Sequence, residues 1–132
     1  MIERFQYHSE TGVFEELSDD GTWVKVEVGY SGCGAGRNNP ELEAKAGVGP
    51  VPRGRYILGA PHHSERVGPV AMFLTPVGHD ARKRSALMIH GDNSTHTASR
   101  GCVVLTRNVR TNIANQVKAA MARNELVTLE VV

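Results

Sequence analysis

Apolar and polar positions change their period several times along the 132-residue chain. Ile2 to Tyr7 and Val13 to Leu17 are short apolar segments joined through Ser9-Glu10-Thr11-Gly12, so each is expected as a strand. Ser18-Asp19-Asp20-Gly21 is a second turn, with Asp-Gly as its stronger signal. From Thr22 to Val28 the residues alternate, with Val24, Val26 and Val28 on one face and Trp23, Lys25 and Glu27 on the other. The three segments predict a meander. Further strands are expected over Arg55 to Leu58, Val70 to Thr75, Ala86 to Ile89, Val103 to Leu105 and Leu126 to Val132. In the last of these, Val127, Leu129 and Val131 share a face.

A helical period is sustained only once, from Arg107 to Asn124, where Val109, Ile113, Val117 and Met121 recur as one apolar stripe. A short helix, Glu41 to Ala46, is expected from Asn39 as N-cap, Pro40 at the first helical position and Gly47 at the end. Gly29 to Pro40 reads as a glycine-rich loop, Gly49 to Gly54 as a rigid connector and Gly78 to Arg84 as a basic surface loop. The expected architecture is mostly β, one domain over residues 1–132, with one main helix near the C-terminus.

Composition narrows the function classes. Fifteen Lys and Arg against fourteen Asp and Glu leave a formal charge of +1, so nothing electrostatic argues for nucleic acid or a membrane surface as partner. No apolar run approaches bilayer length, and membrane insertion is not expected. Met1 to Gln6 shows no cationic start followed by an apolar core, so no signal peptide is expected. Two cysteines do not make a disulfide framework, and a single Cys33–Cys102 bond stays open. The glycine-rich loop lacks the Lys-Ser/Thr ending of a phosphate-binding loop, and no cofactor is expected.

The candidate chemistry lies in one stretch, His90 to Cys102, entered from one apolar run and left through another. Cys102 is the candidate nucleophile, with a buried structural thiol as the plainer alternative. His90 is the candidate base that takes the thiol proton and later protonates the leaving group. Gly91 lets the backbone turn close to the site. Ser99 either hydrogen-bonds His90, lines the pocket or caps its own backbone. The N–H groups of Gly101 and Cys102 are the expected oxyanion donors. Arg100 is a candidate partner for a substrate carboxylate, or a solvated surface residue. His96 is expected near the pocket. His90, His96 and Cys102, with His62-His63, match no helical His pair and no Cys-x-x-Cys knuckle, so no metal is expected. Arg82-Lys83-Arg84 reads as a solvated run.

His90-Gly91 followed by Ser99-Arg100-Gly101-Cys102 resembles the His-Gly…Ser-x-Gly-Cys motif of the L,D-transpeptidase catalytic-domain superfamily. Gly29-Tyr30-Ser31-Gly32 with Asn38-Asn39-Pro40, Val48 to Tyr56, and Ile89 to Asn93 are similar to a compact branch, the type VI secretion L,D-transpeptidase-like effectors. The resemblance covers Thr22 to about Arg110. It implies a β-sandwich-like fold and, as substrate, the tetrapeptide stem of peptidoglycan. The attacked carbonyl would be the one before the terminal D-alanine, with water, a D-amino acid or a second stem as acceptor. Tyr30, Ser31 and Asn39 would then form a wall of the substrate cleft. The implied biology is antibacterial: synthesis in a bacterial cytoplasm, export to the periplasm of a target cell, and a secretion apparatus and immunity protein as partners. Cell-wall-building relatives carry an arginine two places after the cysteine; here that place is Val104, which counts against cross-linking. Two alternatives stay beside this reading: a non-catalytic wall-binding module of the same fold, and a metal-dependent hydrolase.

Overall fold

In the computed structural model, which describes residues 1–132, the chain forms one mixed sheet of ten strands with a single α-helix near its C-terminus. β1 (Ile2–Tyr7), β2 (Val13–Leu17) and β3 (Trp23–Val28) form the expected antiparallel meander. β10 (Val127–Val131) lies beside β1 in parallel, and β5 (Gly54–Leu58) follows it on the other side. β7 (Gly68–Val77) is the longest strand. Its C-terminal half pairs with β5, while its N-terminal half pairs with β6 (His62–Ser64) and β8 (Met88–His90). β9 (Val103–Val104) runs parallel to β8, and β4 (Tyr30–Ser31) closes that edge. Pro76 is tolerated inside β7 because it falls beyond the residues that pair with β8, where a missing N–H interrupts only one ladder.

The core lies between the sheet and α1 (Arg107–Ala122), which packs against β7 and β10. Val127, Leu129 and Val131 are all buried, as their alternation predicts, and Phe5 stacks on Phe14 with ring centroids 5.4 Å apart. Each such fully buried large side chain contributes about 1.5–3 kcal/mol by leaving water. The face that α1 buries is Arg110, Ile113, Ala114, Val117 and Ala120, while Met121 is exposed. The four-residue step is the reason. A helix turns about 100° per residue, so Met121 stands roughly 120° around the axis from Val109.

Two further elements differ from expectation, and a third shows which face of an alternating strand is covered. The Glu41–Ala46 helix shortens to a single 3-10 turn, Pro40–Leu42, although Asn39 does cap it through a 3.3 Å bond from Glu41 N–H. The apolar face of β3 points outward, with Val24, Val26 and Val28 all exposed, because β3 is an edge strand with no layer over that face. Gly78 to Arg84 contains a 3-10 turn, Ala81–Lys83, whose three residues all have positive φ.

Candidate active site

β8 and β9 bring the candidate pair together. Their parallel register sets Ile89 against Val103 and His90 against Val104. Because side chains alternate along a strand, His90 and Cys102 fall on the same face. Parallel pairing sets them a diagonal step apart, since His90 ends β8 whereas Cys102 immediately precedes β9. Both line one cleft of about 860 Å³, together with Gly91, Arg100 and Gly101 from the connecting loop and Arg66, Lys83 and Arg84 from elsewhere.

The His90 ring is 1 % exposed and its Nδ1 lies 2.7 Å from the carbonyl oxygen of Gly91. A carbonyl only accepts, so Nδ1 carries the proton and the neutral ring keeps its lone pair at Nε2. Burial, with help from the charges of Arg110 and Arg66, holds His90 below the usual histidine range, against the opposing pull of Asp92 and the Gly91 bond. The imidazole is therefore neutral at neutral pH. Burial pushes the Cys102 thiol above its usual value, partly offset by a backbone hydrogen bond from Met88 and the charges of Arg66 and Arg84. The thiol donates to the carbonyl of Ala86 at 3.7 Å, not to His90. Ala86 itself has a φ of 57°, a strained setting for a residue with a Cβ.

Ser99 is fully buried and does not reach His90. Its hydroxyl accepts from Gly32 N–H at 2.8 Å and Gly101 N–H at 3.1 Å and donates to the Cys102 carbonyl at 2.5 Å, knotting the loop to the glycine-rich segment. Of the two expected oxyanion donors, Gly101 N–H is thus already engaged. Ser31 Oγ similarly accepts from Val51 N–H at 2.8 Å and donates to the Gly101 carbonyl at 3.2 Å. Tyr30 Oη donates to Asp92 at 2.5 Å and accepts from Ala98 N–H at 2.9 Å, while Arg37 lies 3.8 Å over its ring. Tyr30 and Ser31 therefore brace the site from behind, whereas the Asn39 side chain bonds only the Ala35 carbonyl and Glu41 N–H; none of the three lines the cleft. His96 is exposed outside the cleft and pairs with Asp92 at 2.7 Å. No group of three His, Cys, Asp or Glu side chains is placed to hold a metal ion. Both cysteines are free, and the Cys33 thiol donates to the Gly47 carbonyl at 3.2 Å.

Sequence reading missed two arginines that the site depends on. Arg84, taken as part of a solvated run, donates to four carbonyls: Glu43 at 2.9 Å, Pro50 at 2.7 Å, Gly49 at 3.1 Å and Arg100 at 2.8 Å. Arg110 of α1 donates to Val70 at 3.1 Å, Leu105 at 2.7 Å and Pro69 at 3.2 Å. A signal for Arg110 was present: an arginine between Val109 and Ile113, on the core side of an amphipathic helix.

Fold and site together define a mixed β-sheet protein that presents a cysteine and a neutral histidine from adjoining strands to one open cleft. A family model for the Tlde1 domain matches residues 25–129. The chain belongs to that family, the type VI secretion L,D-transpeptidase effectors, in agreement with the motif resemblance. Comparison with curated proteins gave no match. Among solved structures, the crystal structure of the helical cell shape determining protein Pgp2 from Campylobacter jejuni is similar, at a TM-score of 0.64 and 19 % identity. The match covers 96 % of this chain but 46 % of that one, so the chain spans about half the length of Pgp2. The likeness is one of fold.

Proposed function

We propose that residues 1–132 act as one catalytic domain, a thiol acyltransferase that modifies peptidoglycan by cleaving the L,D bond before the terminal D-alanine of a tetrapeptide stem. The observation that carries the reading is the shared cleft of Cys102 and a buried His90 whose Nδ1 proton is fixed, leaving Nε2 as the base. Membership of an L,D-transpeptidase effector family supports the substrate class.

His90 Nε2 takes the Cys102 proton as Sγ attacks the scissile carbonyl, and the carbonyl electrons move onto oxygen. With Gly101 N–H drawn to Ser99, Cys102 N–H is the donor left to meet the developing oxyanion. Collapse breaks the C–N bond, His90 gives its proton to the leaving amine, and a thioester remains on Cys102. Water, deprotonated by the same Nε2, or a free D-amino acid then resolves the thioester and restores the thiol. Val104, buried where wall-building relatives carry arginine, fits hydrolysis or exchange better than cross-linking. In this reading the protein is an antibacterial effector, exported to a target periplasm and held in check by an immunity protein.

Incubation with tetrapeptide muropeptides should release D-alanine, or exchange it for an added D-amino acid, and Cys102→Ala should abolish both. A non-catalytic wall-binding module predicts sacculus binding with an unchanged muropeptide profile. The Cys102 thiol bonded to Ala86, away from His90, is the observation on that side.

A further inference from the structure

The cleft holds more positive charge than its own acid meets. Arg66, Lys83, Arg84 and Arg100 line it against Asp92 alone. Asp92 is already engaged by Tyr30 and His96, and Arg84 by its four carbonyls. Arg66, Lys83 and Arg100 are left without a carboxylate partner within the chain. Such a cleft suits an anionic ligand.

Of these three cations, Arg66 is the one whose turn is held next to the residues packed around the thiol. It sits in the turn between β6 and β7, where Ser64 Oγ accepts from the backbone N–H groups of Arg66 at 3.3 Å and Val67 at 3.2 Å. Val67 packs against the cluster of Ala71, Met88 and Cys102. The guanidinium charge reaches both reacting groups, pulling His90 down and opposing the rise of Cys102, whereas neither Lys83 nor Arg100 acts on either. A carboxylate bound there while a scissile carbonyl meets Sγ must lie within a few bonds of that carbonyl. In a peptide, the α-carboxylate of the residue after the scissile bond satisfies this, and it is charged only when that residue is the last.

We propose that Arg66 is a C-terminal anchor, binding the free α-carboxylate of the leaving amino acid and restricting the enzyme to removal of a single terminal residue. The assignment rests on the acyl-transfer reading above. It extends to exchange, because an incoming free amino acid presents the same carboxylate to the same guanidinium. A guanidinium binds a carboxylate through two parallel hydrogen bonds, which an amide does not reproduce.

The test compares release of the terminal residue from two substrates, D-alanine from a disaccharide tetrapeptide and D-alaninamide from its C-terminal carboxamide, using the full chain. The wild-type protein should prefer the acid by roughly 10- to 100-fold in kcat/KM, the range expected for hydrogen bonds to a charged group. Arg66→Gln should bring that ratio close to one, mainly by raising KM for the acid, and Arg66→Lys should give an intermediate ratio. Since Arg66 is exposed, melting curves should show both variants folded. A wild-type ratio retained in Arg66→Gln, or wild-type cleavage of the amide as fast as the acid, overturns the anchor and leaves acyl transfer standing. Cleavage of neither substrate by the wild-type protein overturns acyl transfer, and the anchor with it.

Discussion

A methyl group placed on Gly101 would lie 2.1 Å from Nη2 of Arg84. The other motif glycine is in the same situation, because a methyl group on Gly91 would lie 2.8 Å from Nη1 of Arg110. Each candidate reacting residue thus neighbours a glycine seated on a guanidinium that is itself tied to backbone carbonyls. Gly101 also has a φ of 140°, in the region that favours glycine, whereas Gly91 does not need a positive φ. Gly101→Ala should therefore lose more than Gly91→Ala: about 2–4 kcal/mol against about 1–2 kcal/mol of unfolding free energy. Urea titration of the two variants checks the order. Equal losses would separate the glycines from the arginines beneath them.

Arg84 ties together three segments, the turn at Glu43, the Gly49-Pro50 connector and the Arg100-Gly101 peptide. Removing its guanidinium leaves several half-buried carbonyls unpaired at once. Arg84→Ala should cost about 2–4 kcal/mol of stability and should also weaken catalysis, since the peptide before Cys102 loses its anchor. Arg84→Lys should recover part of the charge but not four directed bonds. Chemical denaturation read alongside D-alanine release checks both effects. Arg84→Ala at wild-type stability would return this residue to the solvated run its sequence suggested.

Strand pattern and the His-Gly…Ser-x-Gly-Cys spacing were legible because each depends on local periodicity or on adjacent residues. The meander followed from short apolar segments punctuated by turn residues, and the shared face of Val127, Leu129 and Val131 from alternation. What stayed hidden depended on long-range packing. Nothing near Arg84 in sequence announces the four carbonyls it meets, since they come from residues 43, 49, 50 and 100. The hydroxyl of Ser99 turned to Gly32, Gly101 and Cys102 because those backbone groups needed partners at the buried end of the loop. The outward valine face of β3 was undecided for a related reason: alternation identifies two faces but not which of them another layer covers.

Tyr30 ties the far side of the loop. Its hydroxyl bridges Asp92 and Ala98 N–H, one near each end of the connection between His90 and Cys102. Tyr30→Phe keeps the ring under Arg37 but leaves the Ala98 amide unpaired and Asp92 Oδ1 with Asn93 N–H as its remaining donor. The expected loss is about 1–2 kcal/mol, with a fall in kcat and a smaller change in KM, because Tyr30 does not line the cleft. Steady-state kinetics on tetrapeptide would show the split, and a pure KM effect would move Tyr30 back to the substrate wall.

The two reacting groups are shifted in opposite directions, and this sets a pH profile. Whether His90 acts as a general base on the thiol or first forms an ion pair with it, the active form holds one proton between them. Activity therefore appears as the imidazolium loses its proton and disappears as the thiol loses its own. His90 is lowered by burial and by Arg110 and Arg66, so the acid limb of kcat/KM should fall below the usual histidine range. Cys102 is raised by burial, so the alkaline limb should fall above the usual thiol range, giving a plateau wider than unperturbed groups would allow. Arg66 acts on both groups as a cation, and removing it makes each proton harder to lose. Arg66→Gln should therefore move both limbs to higher pH. Profiles on the carboxamide substrate isolate this shift from the lost carboxylate contact. An acid limb that stays fixed on removal of Arg66 would mean that this charge is screened from His90 in solution.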